Sequence, residues 1–320
     1  MYSVILKNTT VTIPIKKTNV LNQSGNMESK RQIYTRRIMK NTTWLLVLCL
    51  LISCTSKEES FIELPPEQGA RMLLIGNSFF KPYAQKLDEM APEAGFEKHN
   101  SNTVFRGGEN GRPINFWNDT TSQEHQRIKE TLDEGDIAYF GMTSGHDADD
   151  PIEGHRAWIA YALQKNPNIA VFIAIPPVDF PADWEQRAQD NGFDTIEELY
   201  TNFVNAHVHT VMIEGLRAEF PGTKIFTIPT GWAAINVAQM QEDNVLLDDI
   251  ALFGPTKTSI FTDEKGHQGD IVKVTGGLLW LNSLYAVDLS THDTATGFQT
   301  DLHKIAQEIA ENHDPNYKNY

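Results

Sequence analysis

The sequence contains little cysteine, and this narrows the chemistry that is open to it. Only two cysteines occur among 320 residues, Cys49 within an apolar run and Cys54 at its end. If the residues before Cys54 are removed, the remaining chain has no second cysteine with which to form a disulfide. The oxidising compartments that secreted proteins enter would permit such a bond. Residues 55–320 therefore hold no thiol for nucleophilic or zinc chemistry. Serine, histidine and carboxylate side chains remain as the candidates for catalysis.

Basic residues are scarce beyond the N-terminal region. Residues 1–54 hold eight of the 27 Lys and Arg residues but one of the 42 Asp and Glu residues, so the remainder has 19 bases, 41 acids and a net charge of −22. Because nucleic-acid binding depends on basic contacts with phosphate, we expect no nucleic-acid partner. The sequence also lacks a Walker-type phosphate-binding loop, which argues against phosphate-ester chemistry.

The apolar run near the N-terminus is too short to span a bilayer. Trp44–Ile52 is nine residues long and follows Lys40, which is typical of the core of a signal peptide. Leu51-Ile52-Ser53-Cys54 resembles a bacterial lipobox, in which the cysteine is lipidated and becomes the first residue of the mature protein. An ordinary secretory signal or a buried apolar segment is the alternative interpretation.

These features predict the organisation of the N-terminal region. Residues 1–54 are interpreted as an upstream extension and a lipoprotein signal peptide, with Met39 as the expected start. Residues 55–69 are polar, acidic and proline-containing, so we interpret them as a tether. We expect a lipid-anchored protein of the outer membrane or cell surface, which contacts the membrane only through its lipid.

Five short apolar runs alternate with helical patterns in the rest of the chain. The predicted strands are Met72–Ile75, Thr103–Phe105, Ile137–Phe140, Ala170–Ile175 and Ile225–Ile228, and the predicted helices are 79–93, 120–133, 154–165, 194–219 and 268–286. This alternation predicts one three-layer α/β/α domain over residues 70–290, with a five-stranded parallel sheet and the first strand in its interior. Residues 291–320 are expected to form a peripheral helix near Leu302–Ile309 and a polar tail.

Ser78 follows the first predicted strand, at a tight turn into a helix. Leu73, Leu74 and Ile75 are an apolar run, and a helical period begins just after Gly76-Asn77-Ser78. A hydroxyl at this turn lies at the carboxyl end of the sheet, where open α/β folds bind their ligands. The alternative is a serine that merely caps the helix.

A serine nucleophile needs a base, and His267 is the best candidate among ten histidines. It lies in "FTDEKGHQGD", after the fifth predicted strand and at the start of the last helix. Asp263 precedes it by four residues and Glu264 by three, so either carboxylate is able to orient the ring through its far nitrogen. The alternative interpretation is that His267 is a histidine at the start of a helix, with Asp263 and Glu264 as solvated acids beside it.

Together these features resemble the SGNH/GDSL hydrolase family over residues 72–290. Gly76-Asn77-Ser78 matches the Gly-Asp-Ser nucleophile block of that family, with asparagine in place of aspartate. Gly108 matches the glycine whose N–H enters the oxyanion hole, and His267 matches the final block, usually Asp-x-x-His. Thr143 or Ser144 occupies the place of the oxyanion asparagine, and its hydroxyl is able to donate the same hydrogen bond.

The resemblance implies a flavodoxin-like SGNH fold and acyl transfer without a metal or cofactor. Ser78 would attack an ester carbonyl, His267 would take its proton, and Asp263 or Glu264 would orient the ring. The substrate would be an ester-bearing small molecule or polysaccharide, for example an O-acetylated extracellular glycan. The alternative is a non-catalytic glycan-binding lipoprotein on a degenerate SGNH scaffold.

Polar loops after the predicted strands supply candidates for substrate binding. Asn77, Asp147, Trp184 and Trp232 are expected to contact the substrate, the two tryptophans as platforms for sugar rings. Packing in the core or at the rim is the alternative for each tryptophan. The loop 146–155 contains two histidines and four acids, which raises the alternative of a Ca²⁺ or Zn²⁺ site. It lacks the ligand spacing of an EF-hand, so we predict a polar rim of the active site and no metal.

Overall fold

A parallel five-stranded sheet forms the centre of the structure, a computed structural model that describes residues 66–144 and 151–320. Its strands are β1 (Arg71–Gly76), β2 (Asn100–Phe105), β3 (Tyr139–Thr143), β4 (Ala170–Ala174) and β5 (Ile225–Ile228). All neighbours are parallel, in the order β2-β1-β3-β4-β5. Helices flank this sheet, so the predicted three-layer α/β/α fold with five parallel strands is confirmed. Cys54 lies outside the described residues.

The first strand lies in the interior of the sheet, as predicted. Leu73 pairs with Asn102 of β2 on one side and with Phe140 of β3 on the other. Leu73 and its neighbours are buried because helices cover both faces of a doubly wound sheet. One boundary was predicted wrongly: the third strand was expected over Ile137–Phe140, but β3 extends to Thr143, because Gly141, Met142 and Thr143 continue the parallel ladder with β4.

The helices that surround the sheet are α1 (Lys81–Glu93), α2 (Pro113–Asn118), α3 (Gln123–Asp133), α4 (Glu153–Lys165), α5 (Trp184–Asp190), α6 (Ile196–Asn202), α7 (Glu214–Glu219), α8 (Gly231–Glu242), α9 (Asp270–Tyr285) and α10 (Leu302–Asn312). α9 is apolar on nearly every side because it packs against α1, α8 and α10. Within the described ranges, no helix combines the length and apolar character needed to cross a membrane.

The long helix predicted over residues 194–219 is present, but its middle is not α-helical. A π-helical segment, Phe203–Ile213, continues α6 and leads into α7. The N–H of Glu214 donates to the carbonyl of His209, five residues earlier, which is the hydrogen-bond period of a π-helix. Apolar periodicity does not distinguish this winding from an α-helix, so the sequence pattern did not predict it.

A small parallel sheet precedes the last long helix and was not predicted. Its strands are β6 (Ala251–Phe253) and β7 (Ser259–Phe261). Phe261 forms an antiparallel bridge with Gln268, so the chain between them forms a short turn that returns to the core. α9 begins two residues later than predicted, at Asp270. His267 therefore lies on this turn and not on the helix.

The C-terminal segment packs closely against the domain. The predicted helix near Leu302–Ile309 is α10, and its apolar side is buried in the common core. The tail beyond it is also attached, since the hydroxyls of Tyr320 and Tyr139 lie 2.7 Å apart and the amide of Asn319 donates to the carbonyl of Ser283 at 3.0 Å.

Candidate active site

The turn that follows β1 leaves the hydroxyl of Ser78 free of any role in the helix. The carbonyl of Asn77 accepts hydrogen bonds from the N–H groups of Phe80 (3.1 Å) and Lys81 (3.0 Å). α1 begins only at Lys81, and the residue at its N-cap is Phe80, without a side-chain cap. The alternative interpretation of Ser78 as a capping residue is therefore wrong, because the cap position lies two residues further along.

The structure brings Ser78 and His267 together, although 189 residues separate them. Nε2 of His267 lies 2.7 Å from Oγ of Ser78. Nδ1 of the same ring lies 2.6 Å from Oδ2 of Asp263. The three side chains form a continuous chain from hydroxyl to imidazole to carboxylate, which is the arrangement of a serine-histidine-acid triad.

The hydrogen bonds determine where the protons of this triad lie. An ionised carboxylate only accepts, so Nδ1 of His267 carries the proton that is donated to Asp263. Nε2 then holds a lone pair that accepts from the hydroxyl of Ser78. Burial raises the pKa of Asp263, but the side chain and backbone N–H of His267 and the N–H of Gly266 outweigh it, so the pKa lies below its usual range.

The structure distinguishes between the two acids that the spacing left open. Asp263 contacts the ring of His267, whereas Glu264 is exposed to solvent and makes no hydrogen bond to it. The turn accounts for this difference, since the N–H of Gly266 donates to the carbonyl of Asp263 at 3.0 Å and folds the chain back. Of the two acids that the sequence left as candidates, Asp263 contacts His267, and the candidacy of Glu264 is corrected accordingly.

Two further contacts hold the histidine turn against the serine turn. The ring of Phe79 stacks on the ring of His267, with 5.0 Å between centroids and an interplanar angle of 14°. The side-chain amide of the neighbouring Gln268 donates to the carbonyl of Phe79 at 3.2 Å. The N–H of Thr262 donates to the carbonyl of His267 at 2.7 Å and closes the turn from the other side. The ring therefore has little freedom to leave Ser78.

The loop that follows β2 wraps around the serine turn. The N–H of Arg106 donates to the carbonyl of Gly76 at 3.2 Å. Gly111 packs so closely that a Cβ on it would lie 2.7 Å from Cβ of Asn77, so any larger residue would displace the turn. Gly108 adopts a φ of +55°, which glycine reaches at little cost, and no atom lies within 4 Å of where its Cβ would be. Gly108 therefore borders open space on a loop that is fixed to the nucleophile turn.

Two backbone N–H groups, those of Ser78 and Gly108, are the predicted donors to an oxyanion. The turn is closed by the N–H groups of Phe79, Phe80 and Lys81, and none of these hydrogen bonds uses the N–H of Ser78. Gly108 is the first residue of a short 3₁₀ helix, Gly108–Gly111, and the first N–H groups of a helix lack partners within it. The predicted roles of Ser78 and Gly108 in the oxyanion hole remain predictions.

Thr143 ends β3 at the same edge of the sheet. It is only 1% exposed, and its Oγ1 has no hydrogen-bond partner among the described residues. The hydroxyl of Ser144 is also buried and also has no hydrogen-bond partner among the described residues. A buried hydroxyl without a partner is costly, and the predicted place of Thr143 in the oxyanion hole remains a prediction.

The remaining predicted contacts fall in different places. Oδ1 of Asn77 accepts from the N–H of Phe79 at 3.0 Å, so this side chain stabilises the turn as an aspartate would. Trp184 is 7% exposed and donates to the carbonyl of Val178, so the sugar-platform prediction is wrong for it: its ring is part of the core. Trp232 is half-buried and lines a cavity that contains neither Ser78 nor His267. Asp147 lies outside the described residues.

The histidine that ends the acidic loop is structural. His155 is 2% exposed, and its Nε2 donates to the carbonyl of Thr143 at 3.0 Å, because a carbonyl only accepts. Burial lowers the pKa of His155 to about 4, so the ring is neutral at pH 7. Within residues 66–144 and 151–320, no group of three or more His, Cys, Asp or Glu side chains is arranged to hold a metal ion.

Sequence reasoning drew attention to the loop after β4 through Trp184 but did not single out Asp179 or Phe180 within it. Phe180 is 40% exposed and adopts a φ of +58°, a left-handed conformation that is unusual for a non-glycine residue. Its N–H donates to the carbonyl of Lys265 at 3.0 Å, so the loop is joined to the histidine turn. Burial raises the pKa of the adjacent Asp179, although Lys265 and Arg187 act against it. Backbone strain of this kind leaves no pattern in the sequence.

Comparisons with known proteins give little further information. No protein-family model matches the chain, and no curated protein matches it significantly. The periplasmic domain of a lipopolysaccharide acetyltransferase from Salmonella ser. Paratyphi A matches with 11% identity and a TM-score of 0.32, over 51% of this chain and 67% of that chain. CetZ from Methanosaeta thermophila strain DSM 6194 matches with 8% identity and a TM-score of 0.32, over 75% of this chain and 59% of that chain. Neither similarity is close enough to indicate a family or an activity.

Proposed function

We propose that this protein is a serine hydrolase that cleaves carboxylic esters. The observation that carries the proposal is the hydrogen-bonded chain from Ser78 Oγ through His267 to Asp263, with distances of 2.7 and 2.6 Å. A hydroxyl is a weak nucleophile until a base removes its proton, and the base must have a free lone pair. The hydrogen bond from Nδ1 to the carboxylate leaves that lone pair on Nε2.

The first half of the reaction acylates the serine. Ser78 Oγ attacks the ester carbonyl while Nε2 of His267 takes the hydroxyl proton, and Asp263 stabilises the imidazolium that forms. The N–H groups of Ser78 and Gly108, together with the hydroxyl of Thr143, donate to the oxyanion of the tetrahedral intermediate. The intermediate then expels the alcohol, which receives the proton from His267, and the acyl group remains on Ser78.

The second half releases the acid. His267 takes a proton from a water molecule, the resulting hydroxide attacks the acyl-serine, and a second tetrahedral intermediate forms. Its collapse returns the proton to Ser78 Oγ and releases the carboxylic acid. Every proton in this cycle passes through Nε2 of His267, and no redox step occurs.

The openness of the site favours a short acyl group on a large substrate. Ser78 and His267 are partly exposed at the edge of the sheet. Two cavities in the described part of the chain, of about 550 and 270 Å³, do not include them. A long acyl chain needs an enclosed apolar pocket, whereas an acetyl group on a polymer reaches an open serine. We therefore propose an O-acetylated extracellular carbohydrate as the substrate.

Covalent labelling tests this function directly. A fluorophosphonate should modify the wild-type protein once, and peptide mass spectrometry should locate the modification on Ser78 and not on the other serines. The same protein should release acetate from an acetylated polysaccharide, and the Ser78→Ala variant should not. Absence of both labelling and acetate release would contradict the proposal and favour a non-catalytic glycan-binding protein.

We further propose that Cys54 carries a lipid that holds the domain at the cell envelope. The support is the sequence Leu51-Ile52-Ser53-Cys54 after a nine-residue apolar run. Radiolabelled palmitate should enter the wild-type protein in cells but not the Cys54→Ala variant, whereas Cys49→Ala should not reduce it. Equal incorporation into both variants would contradict the anchor.

A further inference from the structure

A second site lies beside β5, away from Ser78. It is a cavity of about 550 Å³ between the π-helical segment, the start of α8 and the end of α10. β5 is one of the two edge strands and lies three strands from β1, which corresponds to about 14 Å at the usual strand spacing. The cavity is therefore separate from the triad.

A pair of buried histidines forms one wall of this cavity. Nε2 of His209 lies 3.1 Å and Nε2 of His313 lies 2.9 Å from Oγ1 of Thr227, so both rings share one hydroxyl. A hydroxyl has one hydrogen and two lone pairs, so it is able to donate to one ring and accept from the other. Burial lowers the pKa of both histidines to about 4, so this wall is polar and uncharged at pH 7.

The other walls combine amide groups with one aromatic ring. The side chains of Asn205, Asn236 and Asn312 line the cavity, and each amide offers both donors and an acceptor. Asn236 makes no side-chain hydrogen bond to any residue in the part of the chain that the structure describes. The ring of Trp232 is half-buried, and Tyr200 holds it edge-to-face at 5.1 Å. Asp314 is the only formally charged residue among those described in the lining.

The backbone beside the cavity is unusual. The π-helical segment Phe203–Ile213 supplies Asn205 and His209 to the lining. π-Helices are rare and occur mostly as single-turn bulges, which are frequent at functional sites. The wider winding presents residues five apart on one side, as the hydrogen bond from Thr210 Oγ1 to the carbonyl of Asn205 shows at 2.8 Å. This unusual winding of the backbone is an observation independent of the polar lining, and it lies at the same cavity.

We propose that this cavity binds a neutral carbohydrate unit. Amides and neutral imidazoles pair with hydroxyl groups in both directions, and a tryptophan ring packs against the apolar face of a sugar. An anionic ligand would meet Asp314 and no cation in the described lining. The volume suits one or two sugar rings. The site would hold a glycan chain on the same domain as Ser78, whether or not the serine is catalytic.

Binding to a catalytically silent protein tests this site without relying on the proposed hydrolysis. The full chain carrying Ser78→Ala is titrated with cellobiose, xylobiose, mannobiose and lactose, and binding is followed by tryptophan fluorescence and saturation-transfer NMR. At least one of these disaccharides should bind. Adding Asn236→Ala should weaken it by about fivefold or more, since one hydrogen bond is lost. Gln241→Ala, on the same helix but outside the lining, should not.

A second variant protects the test from misfolding. Trp232→Phe retains an aromatic ring of smaller area and should weaken binding while the circular dichroism spectrum stays unchanged. The proposal is overturned if none of the four disaccharides binds at millimolar concentration, or if Asn236→Ala and Trp232→Phe leave the affinity unchanged. Competition by inorganic phosphate for the bound disaccharide would also overturn it, because that would show an anion site.

Discussion

Two histidine sites in this molecule place an imidazole against a hydroxyl, and they differ in what surrounds the ring. At the first, His267 lies between Ser78 and the carboxylate of Asp263, and all three side chains reach solvent. At the second, His209 and His313 share the hydroxyl of Thr227 and are buried. The same pair of functional groups therefore occurs in two electrostatic settings.

The difference lies in the ability of each ring to accept a proton. A carboxylate on Nδ1 stabilises the imidazolium that forms when Nε2 takes a proton, as general-base catalysis requires. Burial has the opposite effect on His209 and His313, whose pKa values fall to about 4 and which are weak bases at pH 7. We therefore propose that the first site moves a proton and that the second forms hydrogen bonds without charge. The predictions below test this distinction, beginning with the largest expected effect.

Removal of the nucleophile or the base should have the largest effect. Ser78→Ala and His267→Ala should each lower kcat for p-nitrophenyl acetate by about 10⁵-fold or more, because neither group acts without the other. The kcat of the double variant should be no lower than the kcat of either single variant. Ser290→Ala, an exposed serine elsewhere, is the matched control. Independent, additive losses from Ser78 and His267 would show that they do not act as a unit.

The acid should matter next, and only one of the two candidates should. Asp263→Asn should lower kcat by about 10⁴-fold, because an amide that donates to Nδ1 moves the ring proton to Nε2 and removes the lone pair that Ser78 needs. Glu264→Gln should leave kcat nearly unchanged, since Glu264 is exposed and does not contact the ring. If the two variants lost activity equally, the orienting role of Asp263 would be refuted.

The fold and the meeting of Ser78 with His267 were accessible from the sequence for a physical reason. Ser78 lies just beyond the first apolar run and His267 lies in a polar segment after the fifth, and the ends of parallel strands meet at one edge of a sheet. The choice between Asp263 and Glu264 was not accessible, because it depends on how the turn closes at Gly266. Spacing alone makes both carboxylates plausible, and only the backbone path selects one.

Exposure was harder to predict than position. Trp184 and Trp232 both follow strands in polar loops, and the sequence suggested the same role for each. The structure buries Trp184 in the core, whereas Trp232 lines the cavity beside β5. Their packing differs because it depends on residues far away in the chain. The π-helical winding of Phe203–Ile213 and the left-handed conformation of Phe180 also arise from tertiary packing, which residue periodicity does not record.

Loss of the hydroxyl of Thr143 should have an intermediate effect. Thr143→Val keeps the shape of the side chain but removes a buried hydroxyl that has no partner among the described residues. If this hydroxyl donates to the oxyanion, kcat should fall by about 10²-fold with little change in KM. Ser144→Ala is the matched comparison, since its hydroxyl is buried in the same way. A loss in Ser144→Ala alone would assign the donor to Ser144.

The smallest effect concerns stability at the second site. The pKa values of His209 and His313 lie near 4 in the folded protein, below their ordinary value of 6.5. As the pH falls, the unfolded chain therefore binds these protons first. Their stabilising effect is complete above pH 6.5 and is lost progressively towards pH 4. Between pH 7 and pH 5, the free energy of unfolding should fall by about 2 kcal/mol for each histidine.

The variant His313→Gln isolates the part of this fall in the free energy of unfolding that comes from His313. Glutamine keeps a hydrogen-bonding group near Thr227 but does not titrate, so the fall between pH 7 and pH 5 should be smaller by about 2 kcal/mol. Urea unfolding at each pH measures it. His155 is buried with a similarly lowered pKa and contributes equally to both proteins, so the difference between them reports on His313. An identical pH dependence in the variant would mean that His313 titrates normally in the folded protein. The contrast between a base at Ser78 and neutral rings at Thr227 would then no longer hold.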